Sequence, residues 1–243
     1  MHFKTLSISV LMLLSCIMLQ AQIITDTDVI GLKKGQEQNI SVRTSIKQYH
    51  VGEIYDDGNV KGLVVKVDAS GQHGLLMSLD RFDGKWVTNK KLKIVTSVSE
   101  KDGAVNMAAI EQFLTENKQY EGTFPFYDWC RLKGDGWYIP SREEIKAVAT
   151  ALNGIVGSYN DEKFSEMDRL VREKGGDSLY GKVKLPMGGK MPLSMLTSSE
   201  SPDGKLYIFG CLVKSPFSAP EVLVELGKRT FGRNMGSRAV RKF

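Results

Sequence analysis

The stretch that decides the fold is WCRLKGDGWYIPSREEI, from Trp129 to Ile145. It carries a Gly-Asp-Gly turn, a short aromatic segment and a proline just before a helix start. Ser141 is followed three residues later by Glu144, which is the capping-box pattern of a helix N-terminus. The stretch therefore predicts a turn, a short strand and a capped helix. The residues of this structural corner are Trp137, Tyr138, Pro140 and Ser141.

Two further helices are predicted before the corner. DGAVNMAAIEQFLTEN, residues 102–117, has apolar residues at helical spacing and offers Asp102 or Asn106 as its start. FPFYDWCRLKG, residues 124–134, ends at Gly134, a residue type that often follows a helix C-terminus. The helix that starts at Ser141 closes at Gly154. The centre of the chain is therefore helical.

Strands are predicted on both sides of the helices. GLVVKVD and HGLLMSL, separated by the turn at residues 69–72, indicate a hairpin, and KLYIFGCLVK, EVLVELG and SRAVRKF indicate C-terminal strands. The segment DDGN at 56–59 favours a tight turn over a calcium loop, because the alternating oxygen ligands are missing. Ser158 to Met195 is rich in glycine and predicts a long loop region. The class is α+β: a mixed, mostly antiparallel sheet with two or three packed helices.

The N-terminus has the pattern of an export signal. One lysine, an apolar run from Leu6 to Leu19 and Ala21 predict a signal peptide over residues 1–21, with the mature chain starting near Gln22. Residues 22–47 are polar and predict an arm, and residues 48–243 form the domain. Leu-Leu-Ser-Cys offers an alternative, in which Cys16 carries a lipid anchor. Either route predicts an exported protein of the periplasm, cell surface or extracellular space, with no transmembrane segment.

Composition and motifs argue against several function classes. The net charge is +5, and the lysines and arginines are interspersed with acidic residues. The chain has neither the basic block nor the zinc-finger spacing of nucleic-acid binding proteins. Of the three histidines, His2 lies in the signal, and His50 and His73 favour turn or packing roles over catalysis. The carboxylates at 128, 135, 143 and 144 favour solvated helix ends and turns. We therefore expect no enzyme activity, no cofactor and no metal site.

Four motifs resemble, in the same order, those of bacterial C-type lectin-like domains, in the superfamily that also holds the formylglycine-generating enzymes. They are YHVGEIYDDGNVKGLVVKVDASGQHGLLMSL, FYDWCRLKGDGWYIPSREEIKAV, TSSES and GSRAVRKF, and together they span Tyr49 to Phe243. The chain departs from the family at Leu196, where the family has tryptophan before Ser-Ser-Thr-Glu. The Glu-Pro-Asn and Gln-Pro-Asp motifs of calcium-dependent sugar binding are missing.

The resemblance implies a fold with paired terminal strands, two helices across them, and a ligand surface in the long loop region. It also implies a helix-to-sheet disulfide of the kind such domains contain. Cys130 and Cys211 are the two cysteines left after the signal, and an exported chain favours their pairing. Two buried thiols are the alternative.

These observations lead to a functional hypothesis. We expect a non-enzymatic binding module of a bacterial cell envelope, with an unidentified protein or glycan ligand. The alternatives are a structural subunit of a surface assembly and, less favoured, an enzyme of the formylglycine-generating type.

Overall fold

The structure, a computed structural model, describes part of the chain. The described residues are 47–89, 92, 99–154, 160–184, 190–192, 194–201, 205–212, 221–228 and 235–243. They belong to one unit, Ser45–Phe243. The predicted signal peptide, the Cys16 anchor and nearly all of the predicted arm lie outside the described residues and stay predictions.

The described residues form an α+β protein, which confirms the predicted class. The helices are α1 (Gly103–Glu116), α2 (Pro125–Leu132), α3 (Arg142–Asn153) and α4 (Asp161–Glu173), with a 3₁₀ turn at Lys118–Tyr120. The strands are β1 (Ile54–Asp56), β2 (Lys61–Val67), β3 (Gly74–Ser78), β4 (Phe82–Gly84), β5 (Tyr180–Lys184), β6 (Lys190–Pro192), β7 (Met195–Glu200), β8 (Lys205–Leu212), β9 (Glu221–Lys228), β10 (Met235–Ser237) and β11 (Val240–Lys242).

The described strand pairs are all antiparallel. One sheet has the order β1-β2-β3-β11, so the C-terminal strand lies beside the predicted hairpin of β2 and β3. A second sheet has the order β7-β8-β9, and β4 pairs with β10 and β5 with β6. The predicted hairpin is confirmed, with Leu63 opposite Met77. Both residues are fully buried, as expected for strands that form the core.

Local capping signals explain where α1 and α3 start. Asp102 accepts hydrogen bonds from the main-chain N–H groups of Ala104 and Val105 and so caps α1. The capping box of Ser141 and Glu144 is present at α3, which confirms that prediction. Gly154 closes α3 with a φ of +83°, a conformation that glycine adopts without a Cβ penalty.

The predicted loop region from Ser158 to Met195 is wrong as a description of this segment. It contains α4, capped by Asn160, and the β5 and β6 strands. Phe164, Met167 and Val171 are buried on one face of α4, at helical spacing. The apolar face of α4 packs into the protein, so this helix is an integral part of the fold.

A buried arginine joins distant parts of the chain. Arg238, between β10 and β11, is completely buried, and among the described residues its guanidinium donates to main-chain carbonyls. The acceptors are the carbonyls of Ser78 (2.9 Å), Leu79, Asp80 (3.3 Å), Asp177 (2.6 Å) and Ser178 (3.1 Å). Burial lowers the pKa of Arg238 to about 10, which leaves it charged at neutral pH. Arg238 therefore connects the end of β3 to the segment between α4 and β5.

The turn between β1 and β2 gives a prediction about pH. Asp57 Oδ1 accepts from the N–H groups of Val60 (2.7 Å) and Asn59 (2.9 Å), and these bonds hold the pKa of Asp57 below its ordinary value. Its stabilising contribution is therefore present above about pH 4, the ordinary carboxyl pKa, and is lost as pH falls through the lowered folded value. We expect the Val60 amide resonance to titrate with a midpoint below that of an ordinary aspartate. Asp57→Asn keeps an acceptor oxygen and should abolish this titration; an unchanged profile would contradict the assignment.

Candidate functional site

The corner lies where the two larger sheets and two helices meet. Tyr138 forms an antiparallel bridge with Val240, in which the two residues exchange N–H···O bonds of 2.9 and 2.8 Å. The carbonyl of Pro140 accepts from the N–H of Ser198 in β7 at 2.8 Å. Trp137, Tyr138, Pro140 and Ser141 are all buried. The corner therefore extends the first sheet beside β11 and contacts the second sheet through β7.

Glu144 holds the corner against α1. Its Oε2 accepts from the N–H groups of Ser141 (2.8 Å) and Gly103 (2.9 Å), and its Oε1 accepts from the hydroxyl of Tyr138 (2.7 Å). Burial raises the pKa of Tyr138, and the Glu144 charge raises it further. Glu144 is 9% exposed, so the expectation of a solvated carboxylate is wrong at this position. One carboxylate thus fixes the starts of α1 and α3 and the aromatic segment between them.

The TSSES motif supplies hydroxyl groups to the same junction. Ser198 Oγ donates to the carbonyl of Ile139 at 3.1 Å and accepts from Asn106 Nδ2 at 3.0 Å. Ser199 Oγ accepts from the N–H of Arg142 at 2.9 Å. These side chains are buried, and buried polar groups stabilise a fold when their hydrogen bonds are satisfied. The motif therefore has a structural role, connecting β7 to the helix starts.

A groove lies between α1, α2 and the corner. Its volume is about 290 Å³, close to the lower end of the range for ligand pockets, about 300 Å³. The α1 wall presents one helical face, from Ala104 to Glu111. The opposite wall consists of Tyr127 and Arg131 of α2, then the loop from Gly134 to Gly136. Trp137 and Tyr138 form the inner end.

Tyr127 lines this groove and has a hydroxyl that no described residue pairs with. The residue is only 7% exposed and lines the groove. Within the part of the chain that the structure describes, no group forms a hydrogen bond with its hydroxyl. Burial raises the pKa of Tyr127; the Glu111 charge raises it further, and the Arg131 charge opposes the rise. The phenol is therefore neutral at physiological pH and can both donate and accept a hydrogen bond.

Glu111 and Arg131 form an ion pair at the mouth of the groove. Arg131 Nη1 lies 3.0 Å from Glu111 Oε1, and the two side chains are 58% and 50% exposed. An exposed ion pair contributes little to stability, roughly 0–1 kcal/mol, so either partner can be redirected to a ligand at small cost. The groove thus offers a cation, an anion and a phenol close together.

The rings of the corner aromatics are covered by protein. Lys133 Nζ lies over the Trp137 ring, 4.9 Å from its centroid, and also over Trp129 at 5.0 Å. The far end of the Trp137 indole packs against Gly62 of β2, where an added Cβ would lie 3.4 Å away. Lys242 Nζ lies 6.0 Å from the Tyr138 centroid. The groove consequently contains no widely exposed aromatic face.

The cysteines occupy the predicted elements. Cys130 lies in α2 as a free, fully buried thiol, so the structure contains no bridge at this residue. The main chain of Cys211 lies in β8 opposite Val222, but its side chain lies outside the described residues. At Cys130 the structure therefore shows a buried thiol, the alternative to the bridge. The pairing of Cys130 with Cys211 stays a prediction for the oxidised, exported protein.

Alkylation of the cysteines separates the two states. Burial raises the pKa of the Cys130 thiol, so we expect little reaction in the folded protein. In denaturant without reductant, a free Cys130 becomes labelled, whereas a bridged Cys130 does not until a reductant is added. Peptide mapping by mass spectrometry assigns the label to each cysteine. Rapid labelling of Cys130 in the folded protein would contradict the buried position.

Metal sites and membrane-spanning helices were also considered for the described residues. Among the described residues, no three or more His, Cys, Asp or Glu side chains are grouped as metal ligands, and no helix is long and apolar enough to cross a membrane. Sequence analysis missed Glu111, Tyr127 and Arg131. The spacing of Tyr127 and Arg131 placed them on one helical face, but no local pattern indicated that α1 would supply the opposite wall.

Comparison of the chain with family models, curated proteins and solved structures gives no match.

Proposed function

We propose that this protein is a non-enzymatic, exported binding module of a bacterial cell envelope, with a C-type lectin-like fold. Its ligand site is the groove between α1, α2 and the corner, and its ligand is a protein or a glycan. The observation that supports this proposal is Tyr127, which is buried as a residue and lines the groove wall, and whose hydroxyl forms no hydrogen bond with the described residues. A ligand that hydrogen-bonds to this hydroxyl replaces the water that otherwise satisfies it.

The site proposed from the structure differs from the one that the resemblance implied. The resemblance placed the ligand surface in the long loop region, whereas much of that segment forms α4, β5 and β6. The groove combines concavity with converging polar groups, which are the usual features of a small binding site. Tyrosine and arginine, both present here, are also common at binding hot spots.

Arrays of glycans and of candidate partner proteins, incubated with the mature chain, test this function. Ala108→Trp fills the groove from an exposed position of α1, and Gln112→Trp adds the same side chain at an exposed position outside the groove lining. We expect Ala108→Trp to abolish array binding and Gln112→Trp to preserve it. Equal binding by both variants would place the ligand site elsewhere.

A further inference from the structure

We infer that the ligand of the groove is a polypeptide segment and not a sugar ring. This inference rests on the proposed function, because it assigns a ligand class to the same groove. It depends on three features: the covered aromatic rings, the separated donor and acceptor groups, and the main-chain N–H groups of Asp135 and Gly136.

The covered rings argue against a saccharide. A sugar ring is commonly held by the exposed face of an aromatic side chain, which provides an apolar surface for its C–H groups. Trp137, Tyr138 and Tyr127 are 9%, 4% and 7% exposed, and cations lie over the first two rings. The groove therefore supplies polar contacts without a stacking surface.

The ion pair suits a ligand whose donors and acceptors are separate groups. The Glu111 carboxylate accepts hydrogen bonds, and the Arg131 guanidinium only donates them. A peptide unit has one N–H donor and one C=O acceptor, so it can pair with both charged groups, with its carbonyl or a carboxylate directed to Arg131. The Tyr127 hydroxyl supplies a third hydrogen bond.

The loop from Gly134 to Gly136 adds main-chain groups. Gly134 and Gly136 have φ angles of +102° and +81°, and the loop from Gly134 to Gly136 lines the groove. Arg241 lies against Gly136 and donates to the Asp135 carbonyl, so the main-chain groups left for a ligand are N–H donors. No described residue accepts a hydrogen bond from the N–H groups of Asp135 or Gly136. Such groups are available to the carbonyls of an extended peptide, as in recognition through main-chain hydrogen bonds.

The charge of the groove favours a segment without a large net charge. Glu111 is paired with Arg131, and Arg241 lies against Gly136 and donates to the Asp135 carbonyl, next to the Asp135 carboxylate. Two acidic and two basic side chains therefore surround the loop and the groove mouth. A polyanion or a polycation would be attracted by two of these side chains and repelled by the other two. A peptide with mixed charges can pair with both kinds.

The test uses two immobilised probes, a library of random dodecapeptides and a panel of neutral oligosaccharides, with the mature chain in solution. The key variant exchanges the charges, Glu111→Arg with Arg131→Glu. The exchange keeps the ion pair but reverses the donor and acceptor positions. A sugar hydroxyl both donates and accepts and so tolerates the exchange. In a peptide selected on the wild-type chain, the N–H only donates and the C=O only accepts, so that peptide loses both bonds to the exchanged pair. Arg169→Glu with Glu173→Arg is the matched control, because this exposed pair lies on α4, outside the groove lining.

We expect peptides to bind, with affinity reduced about 10- to 100-fold by the exchange, the effect of losing hydrogen bonds to charged groups. We expect Tyr127→Phe to reduce it up to about tenfold and the α4 exchange to leave it unchanged. Oligosaccharide binding that Ala108→Trp abolishes and the exchange preserves would overturn the peptide inference and leave the proposed function intact. Failure of both probes to bind in a groove-dependent way would overturn the proposed function as well.

Discussion

Replacing Arg238 with alanine is expected to destabilise the protein by about 3–5 kcal/mol or to prevent folding, since each buried carbonyl left without a donor costs about 1–3 kcal/mol. The guanidinium donates to five carbonyls, two of which belong to Asp177 and Ser178 and three to the end of β3 and the following residues. The Leu79 carbonyl keeps a second donor, the N–H of Asp177 at 2.8 Å, and the Asp80 carbonyl keeps the Ser78 hydroxyl at 2.9 Å. The loss is therefore smaller than five separate penalties. Chemical denaturation measures the difference.

Two variants make the Arg238 experiment specific. Arg238→Lys keeps the charge but has a single nitrogen, which cannot reproduce the arrangement of the guanidinium donors, so an intermediate loss is expected. Arg241→Ala removes an arginine three residues later that is only partly buried, and it should cost much less. Wild-type stability of Arg238→Ala would show that the buried arginine is not needed to join β3 to the segment after α4.

Trp137→Ala is expected to cost about 3–5 kcal/mol, the usual range for truncating a large buried aromatic side chain. Its indole packs between Gly62 and Lys133, and its neighbour Tyr138 continues the first sheet, so the cavity would open inside the corner. Trp129→Ala provides a comparison, because Trp129 also contacts Lys133 but is only half-buried. A smaller loss is expected there.

Thermal melting of the two tryptophan variants checks the structural role of the corner. If Trp137 stabilises the corner, Trp137→Ala clearly decreases the Tm and Trp129→Ala decreases it less. An unchanged Tm for Trp137→Ala would reject this account and make Trp137 a candidate ligand contact instead.

Elements with complete local signals could be predicted from the sequence. Asp102, the Ser141–Glu144 capping box and Gly154 are short-range features, because a cap forms with groups two to four residues away. The hairpin of β2 and β3 was predictable for the same reason, since a short turn sets the pairing of its neighbours. Local physical chemistry was sufficient for these elements.

Helix α4 shows why a periodic signal can be missed. Phe164, Met167 and Val171 have helical spacing, but charged residues surround them and glycines at 175 and 176 follow at once. Asp168 also occupies a buried position among them, where it accepts from the N–H of Leu179 at 2.6 Å and from Ser178 Oγ at 2.7 Å. A buried carboxylate that bonds to the next segment looks, in the sequence, like a surface residue.

The groove could not be predicted, because its walls are distant in sequence. Glu111 and Arg131 belong to different helices, and each alone resembles an ordinary surface charge. Tyr127 resembles a core residue until its hydroxyl is found to lack a described partner. Only tertiary packing brings the three side chains together. The sequence of a single helix does not predict the angle at which it packs against another.

The central claim, that this groove is the ligand site, is tested most directly by mapping amide chemical-shift changes when the tightest-binding ligand from the arrays is added to the mature chain. We expect the largest changes on Gly134, Asp135 and Gly136 and on the facing residues of α1 and α2, and we expect Ala108→Trp to remove them. Changes concentrated in residues 158–195, with the amides of Gly134 and Gly136 unaffected, would contradict this site and return the ligand surface to the segment that the resemblance first implied.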